Sequence, residues 1–359
     1  MTFPYAVYNP HYETLDVAKD WGLKTTTTDQ SVALAQPYRV AAVRLRFNDP
    51  TLYDYRSDLA NIDLKDFDLV LISDAEYYSL SASLEWIQSL GIKNWLFAKG
   101  GFNSNDPEHD RVMYRPYWLP RFLEVNHTYQ DSRAAQKPFM FDALMGARRP
   151  HRDYVMMSAT QSGLESKSIF NYRTVFPGNV FDGQTREYAA MFPETKVNWP
   201  WVSPNLDPAW EVAGNIDNTV SFISPVEIYR RCRYTIVTET LCTGTQLFFS
   251  EKSMKVLFNQ RVFVMFAPPF FLQHLRDLGF KTFNGIIDET YDTVTIDPER
   301  YKLAMQQAHL LSWENPDHVY ALASEIVDHN HRRLSQLQQE KQQEMQYFMQ
   351  RHVPAEHWS

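Results

Sequence analysis

The sequence predicts an α/β protein of two domains, each built on a parallel sheet, and three observations carry that reading. Residues 234–278 alternate strand, helix, strand and helix in one short span. Residues 68–98 repeat the strand–helix–strand part of the pattern, which right-handed crossover makes parallel. The strands in both stretches run into polar residues, Asp74-Ala75-Glu76 and Thr238-Glu239-Thr240. Open parallel sheets hold their ligands beyond such carboxyl ends.

Within a first domain of residues 1–137, residues 38–45 (YRVAAVRL) read as a strand and residues 68–73 (DLVLIS) as a buried one. A helix follows over residues 80–90, with Leu80, Leu84, Ile87 and Leu90 on one face and Gly91 as its stop. Residues 94–98 form the next strand and empty into Lys99-Gly100-Gly101-Phe102. No helix begins there, so the glycine pair reads as a permissive loop or a plain turn rather than a dinucleotide fingerprint. Tyr114, Tyr117, Trp118 and Phe122 are either an aromatic platform for an acceptor or filling between domains. Gln136-Lys137-Pro138 reads as the linker.

A second domain, residues 138–330, opens with a strand over 138–145 (PFMFDALM) and a helix starting close to Pro150. Residues 164–215 hold short strands and loops too irregular to assign singly. Residues 225–233 (PVEIYRRCR) read as a helix, placing Cys232 on it, and a strand follows from Tyr234. Ser250 is a credible N-cap for a helix whose Met254, Leu257 and Phe258 recur at helical spacing. Residues 261–267 form an apolar strand closed by Pro268-Pro269. Phe271, Leu272, Leu275 and Leu278 mark a further helix, stopped by Gly279. From Pro298 the chain reads as helical, over 299–312 and 316–350.

Composition narrows the function. The 359 residues are 44% hydrophobic and 14% aromatic, which fits a folded protein with room for two cores. A net charge of −8 disfavours a broad nucleic-acid binder but leaves room for one narrow basic cleft. Cys232 and Cys242 form no metal spacing and read as reduced packing residues. The opening MTFPYAVYNP has no basic or apolar leader pattern, and no apolar run is long enough to span a membrane. A cytoplasmic protein is expected.

Two stretches carry chemistry. At Ser250-Glu251-Lys252, free N–H groups and the helix dipole favour a phosphate, by roughly 0.3–1 kcal/mol at an exposed site. Lys252 adds a point charge for a diphosphate, and Glu251 is a carboxylate able to chelate two ribose hydroxyls. The bland alternative is that Glu251 complements the dipole and Lys252 is solvated. At Arg148-Arg149-Pro150-His151-Arg152, three arginines and a histidine crowd a strand-to-helix junction, and guanidinium forks suit phosphate oxygens. A solvated basic turn is the alternative there. Glu239 closes its strand on the same side and is a further candidate for the donor sugar.

F-F-S-E-K-S-M-K, a short strand, L-R-D-L-G-F-K-T-F and I-D-E-T-Y-D together resemble the donor half of GT-B glycosyltransferases. The fucosyltransferase and exostosin type, and small glycosyltransferase-like proteins of phages and bacteria, are the nearest in pattern. The likeness spans residues 234–292 and the R-P-H-R step; residues 1–140 match no family. It implies two Rossmann-like domains facing a central cleft, with the helix of residues 331–359 packing back on the N-terminal domain through Leu334, Leu337, Met345 and Phe348. It also implies that Glu251 holds the donor ribose and Lys252 the diphosphate. Asn259-Gln260 stands where such families often carry glycine, so the backbone approach to the donor differs.

The expected activity is transfer of a sugar from a nucleotide-diphosphate sugar to a hydroxyl on a glycan, lipid, protein or modified DNA. Arg148, Arg149, Arg152, Glu239, Ser250, Glu251 and Lys252 bind the donor. Asp74, then Glu76, then His11 are candidates for the acceptor base. The one D-x-D, Asp66-Phe67-Asp68, precedes its strand and so lies at the wrong end for metal-held phosphates. No metal ion or other cofactor is therefore expected, with cationic side chains in its place. Three rivals remain: a phage-type transferase acting on a hydroxymethylated DNA base, a non-catalytic nucleotide-binding or structural protein, and a phosphotransferase, which the lack of a Walker motif disfavours. A monomer or a homodimer is expected; a free coiled-coil dimer helix is the alternative to the last helix packing back, though its heptads are poor.

Overall fold

The computed structural model describes residues 3–9, 21–45, 63–74, 79–126, 137–145, 149–172 and 223–358. The chain divides into two compact units. The first takes Met1–Pro120, Gln246–Phe249 and Gln336–Ser359; the second takes Arg121–Thr245 and Ser250–Ser335.

In the first unit the described elements are β1 (Val7–Tyr8), β2 (Thr26–Thr27), α1 (Gln30–Leu34), β3 (Val40–Leu45), β4 (Leu69–Asp74), α2 (Leu80–Ser89), β5 (Trp95–Lys99), β6 (Gly101–Phe102) and β7 (Val112–Tyr114). The sheet runs β2-β1-β3-β4-β5-β7, and every neighbouring pair is parallel. Val40, Ala42, Leu69, Leu71, Leu96 and Ala98 point to one face, and Ala41, Val43, Val70, Ile72 and Phe97 to the other. That is the period-2 alternation of a sheet buried on both sides. Helix α2 is N-capped by Ser79, whose hydroxyl accepts the Ala82 N–H at 3.2 Å.

The second unit holds β8 (Phe139–Met145), α4 (Pro150–Ser162), β9 (Ile169–Tyr172), α5 (Val226–Arg231), β10 (Cys232–Thr238), α6 (Glu251–Phe258), β12 (Phe263–Phe266), α7 (Phe271–Asp277) and α8 (Asp297–Trp313). Helix α3 (Leu119–Val125) crosses the unit boundary, and β11 (Leu247–Phe248) belongs to the first unit. The second sheet runs β12-β10-β8-β9, again all parallel. From β8 the chain steps outward to β9, then returns to the other side of β8 for β10 and β12. The described strand order therefore reverses between β8 and β10.

A 37-residue helix, α9 (Pro316–His352), supplies both units: residues up to Ser335 belong to the second and those from Gln336 to the first. Met345, Phe348, Met349 and Val353 complete a core with Val40, Leu71 and Leu96, while Leu334 is buried within the second unit. No helix among the described residues is long and apolar enough to cross a membrane.

Several expectations need correcting. Cys232 opens β10 rather than lying on the preceding helix, because α5 ends at Arg231 and the pairing of Cys232 with Phe139 already belongs to the sheet. Gly101 is not loop: with Phe102 it pairs antiparallel with Leu247 and Phe248, all in the first unit. Tyr117 and Phe122 are buried and offer no aromatic platform. Lys137, expected in a linker, is buried and donates to the Tyr229 carbonyl at 2.8 Å. Asp68 of the D-x-D accepts two hydrogen bonds from the Arg39 guanidinium at the amino end of β4.

Candidate functional site

In open parallel sheets the crevice for a ligand opens where strand order reverses, beyond the carboxyl ends. Here that point lies between β8 and β10, and the predicted donor residues sit on the segments that leave those two strands.

Ser250 is the N-cap of α6: its backbone is extended and its hydroxyl accepts the Lys252 N–H at 3.2 Å. The same hydroxyl donates to Glu239 Oε2 at 2.5 Å, and Ser253 donates to Glu239 Oε1 at 2.5 Å. Glu239 also accepts the Thr240 N–H at 2.9 Å and is fully buried. Both of its oxygens are thus engaged within the chain, and the carboxylate fixes the start of α6 to the end of β10. A negative group beside a helix start is electrostatically favoured as well.

Lys255 lies four residues after Glu251 and three after Lys252, so it neighbours both on the surface of α6. Lys252 Nζ contacts Glu251 Oε1 at 2.6 Å and donates to Thr240 Oγ1 at 3.1 Å. Burial works to raise the Glu251 carboxyl, but Lys252 and Lys255 outweigh it and hold the group below its ordinary value. Glu251 is therefore an anion near neutral pH, with both oxygens acceptors. Burial, helped by Lys252 and opposed by Glu251, pushes Lys255 down to about 8.

The second basic segment opens α4. Arg149 is its N-cap residue and makes no side-chain capping bond; Pro150 fills the first turn. His151 is fully buried and its Nε2 lies 2.9 Å from the Glu239 carbonyl. A carbonyl only accepts, so Nε2 carries the proton. Burial first, then Arg152, Arg149 and Lys252, force His151 well below its usual range, against the pull of that carbonyl, so the ring is neutral. Arg152, nearly buried, directs Nη2 to the Thr238 and Glu239 carbonyls, at 3.4 Å each. His151 and Arg152 meet the Glu239 carbonyl while Ser250 and Ser253 meet its carboxylate, so the two basic segments, distant in sequence, are joined at one residue. Arg148 lies outside the described residues.

The sequence reading gave no role to His151 or Lys255. Both were visible, in R-P-H-R and in E-K-S-M-K, but nothing in the local pattern told that the imidazole would tie the start of α4 to the residue after β10. The I-D-E-T-Y-D tail proves to be scaffold. Asp288 caps a short 3-10 turn, Glu289 accepts the Phe283 N–H at 2.7 Å, and Asp292 receives the first N–H groups of α7. Arg300 joins two loops at the carboxyl edge, donating to Ala267 O at 3.0 Å and Cys242 O at 2.7 Å. Both cysteines are free and buried, and burial raises their thiols.

Of the candidate bases, His11 and Glu76 lie outside the described residues. Asp74 is the last residue of β4, fully buried, in register with Lys99 of β5. Lys99 is also fully buried and donates to the Gly101 carbonyl at 2.7 Å. Burial lowers its ammonium, with Asp106 and Asp74 opposing. In the first sheet the described strand order reverses between β1 and β3, so Asp74 ends a strand beyond that point.

No family model and no curated protein matches this chain. Among solved structures, T4 phage BGT in complex with UDP and Mn2+ aligns over 97% of this chain and 98% of its own, at 12% identity and a TM-score of 0.43. A likeness of that size bears on neither activity nor substrate.

Proposed function

We propose that the protein is a metal-independent glycosyltransferase of the GT-B type, moving a sugar from a nucleotide-diphosphate sugar to a hydroxyl acceptor. One observation carries the reading. The segments that carry Arg149, Arg152 and Lys252 are joined at Glu239, at the strand-order reversal of the second sheet, next to a carboxylate held ionised at a helix start.

Breaking the glycosidic bond leaves a nucleoside diphosphate whose negative charge grows in the transition state. Arg149 presents a guanidinium fork to its oxygens, with Arg148 beside it in sequence; Arg152 contributes its charge from a buried position against the Thr238 and Glu239 carbonyls, and Lys252 adds an ammonium. Glu251 accepts hydrogen bonds from the ribose hydroxyls. Glu239 and Ser250 act by position: they lock the α6 start where these contacts form. Asp74 is proposed as the base that takes the acceptor proton; Glu76 and His11 are the other candidates for that role.

The test is a thermal-shift panel of UDP, GDP, ADP, CDP and their sugars, followed by donor hydrolysis with whichever sugar nucleotide binds. One nucleotide should raise the melting temperature. Glu251→Ala and Lys252→Ala should each weaken it about 10- to 100-fold, the worth of a charge-assisted hydrogen bond. Binding that survives both substitutions puts the nucleotide elsewhere. Binding without any sugar release favours a non-catalytic nucleotide-binding protein.

A further inference from the structure

Phe270 breaks the pattern of the segment that carries it. From Arg261 to Leu272 every other residue is buried, yet Phe270 is 47% exposed. Its φ is +65°, left-handed backbone that a β-carbon resists and that glycine adopts freely. The turn is held from outside. The Asp292 carbonyl accepts the Phe270 N–H at 2.7 Å, and the Asp292 carboxylate accepts the N–H groups of Leu272 at 2.9 Å and Gln273 at 3.0 Å. A strained conformation fixed by its neighbours is a frequent mark of a functional position.

Its place in the fold says which function. Phe270 follows Pro268-Pro269 at the carboxyl end of β12, the strand beside β10. The last β12 carbonyl, Phe266 O, accepts the Glu239 N–H at 2.9 Å, and Arg300 binds the loops after both strands. The aromatic ring therefore emerges on the edge that carries Glu251 and Lys252, in the same unit. An exposed ring adds little to the core, and its flat apolar face suits the C–H face of a pyranose.

We propose that Phe270 is a specificity-determining residue whose ring packs against the sugar of the donor. The proposal rests on the donor-site reading above and deepens it by assigning the sugar subsite.

The test uses the full chain as wild type, Phe270→Ala, Phe270→Gly and Phe270→Tyr. Each is titrated calorimetrically with UDP and UDP-glucose, or with GDP and GDP-fucose if that pair gives the wild-type thermal shift. Ala and Gly should weaken the sugar nucleotide about three- to tenfold while the bare diphosphate changes less than about twofold; Tyr should bind as wild type. Phe270→Gly should melt above Phe270→Ala by about 2 °C, because only Ala retains the left-handed strain. Sugar-nucleotide affinity unchanged in Ala and Gly overturns the proposal, as does equal loss of both ligands. If Glu251→Ala and Lys252→Ala leave the diphosphate bound as in wild type, the donor-site reading itself fails and takes this proposal with it.

Discussion

The two ends of the second sheet handle positive charge in opposite ways. Toward the amino ends, Arg261 is 1% exposed and faces an anion: Nη2 meets Asp142 Oδ1 at 3.0 Å and Cys232 O at 2.7 Å, Nη1 meets Tyr229 O at 3.1 Å, and Nε meets Thr235 Oγ1 at 3.1 Å. Thr235 donates in turn to Asp142 at 2.9 Å. At the carboxyl ends, positive charge crowds basic groups. Burial, then Arg152, Arg149 and Lys252, keeps His151 neutral, and burial with help from Lys252 pushes Lys255 down against the pull of Glu251. Arg261 is thus satisfied within the chain by an anion, a hydroxyl and two carbonyls. The carboxyl end has internal pairing too, Lys252 with Glu251 and Arg152 with two carbonyls, but it adds like charge around one imidazole, which the proposed donor diphosphate would offset.

The largest effect expected from this contrast is at the sealed end. Arg261→Ala leaves Asp142 buried without its cation and should cost about 3–5 kcal/mol in denaturant unfolding. A loss under about 1 kcal/mol would mean that this end is not the scaffold described.

His151 gives the next effect. Its folded value is depressed, so between that value and the ordinary 6.5 the unfolded chain binds the extra proton and stability falls as pH drops. One such group contributes a slope of up to about 1.4 kcal/mol per pH unit. Urea unfolding from pH 7.5 to 5 should show that slope, and His151→Gln, which keeps an N–H for the Glu239 carbonyl, should remove it. An identical slope in both proteins would free the carboxyl end of the repulsion assigned to it.

Lys255 gives the smallest. Its folded value of about 8 means that its charge fades as pH rises from 7 to 9. Nucleotide affinity should fall over that window by less than about tenfold. Lys255→Arg, which stays charged, should flatten the profile. A flat wild-type profile would place Lys255 outside the anion's reach.

Much of the carboxyl end was legible in the sequence because its signals are local. Ser250 before E-K-S-M-K announces a cap, and R-R-P-H-R announces a basic turn at a helix start. The sealed end was not legible. Asp142 reads as one residue of an apolar strand and Arg261 as the start of another, and their contact joins positions 119 apart in sequence. His151 falls between the cases: its cluster was conspicuous, but its partner is a backbone carbonyl, which no side-chain pattern betrays. Asp74 shows the converse, a strand-end carboxylate whose position was readable and whose burial beside Lys99 was not.

The long helix α9 has a consequence for how the chain comes to be folded. The first unit draws Met345, Phe348, Met349 and Val353 from beyond residue 335. During synthesis, therefore, the N-terminal sheet waits with one apolar face only partly covered, by Phe3, Trp21, Leu23 and Tyr38, until nearly all of the second unit has left the ribosome. A stop codon or a bulky fusion placed after Ser335 would accordingly harm the half of the molecule that is translated first.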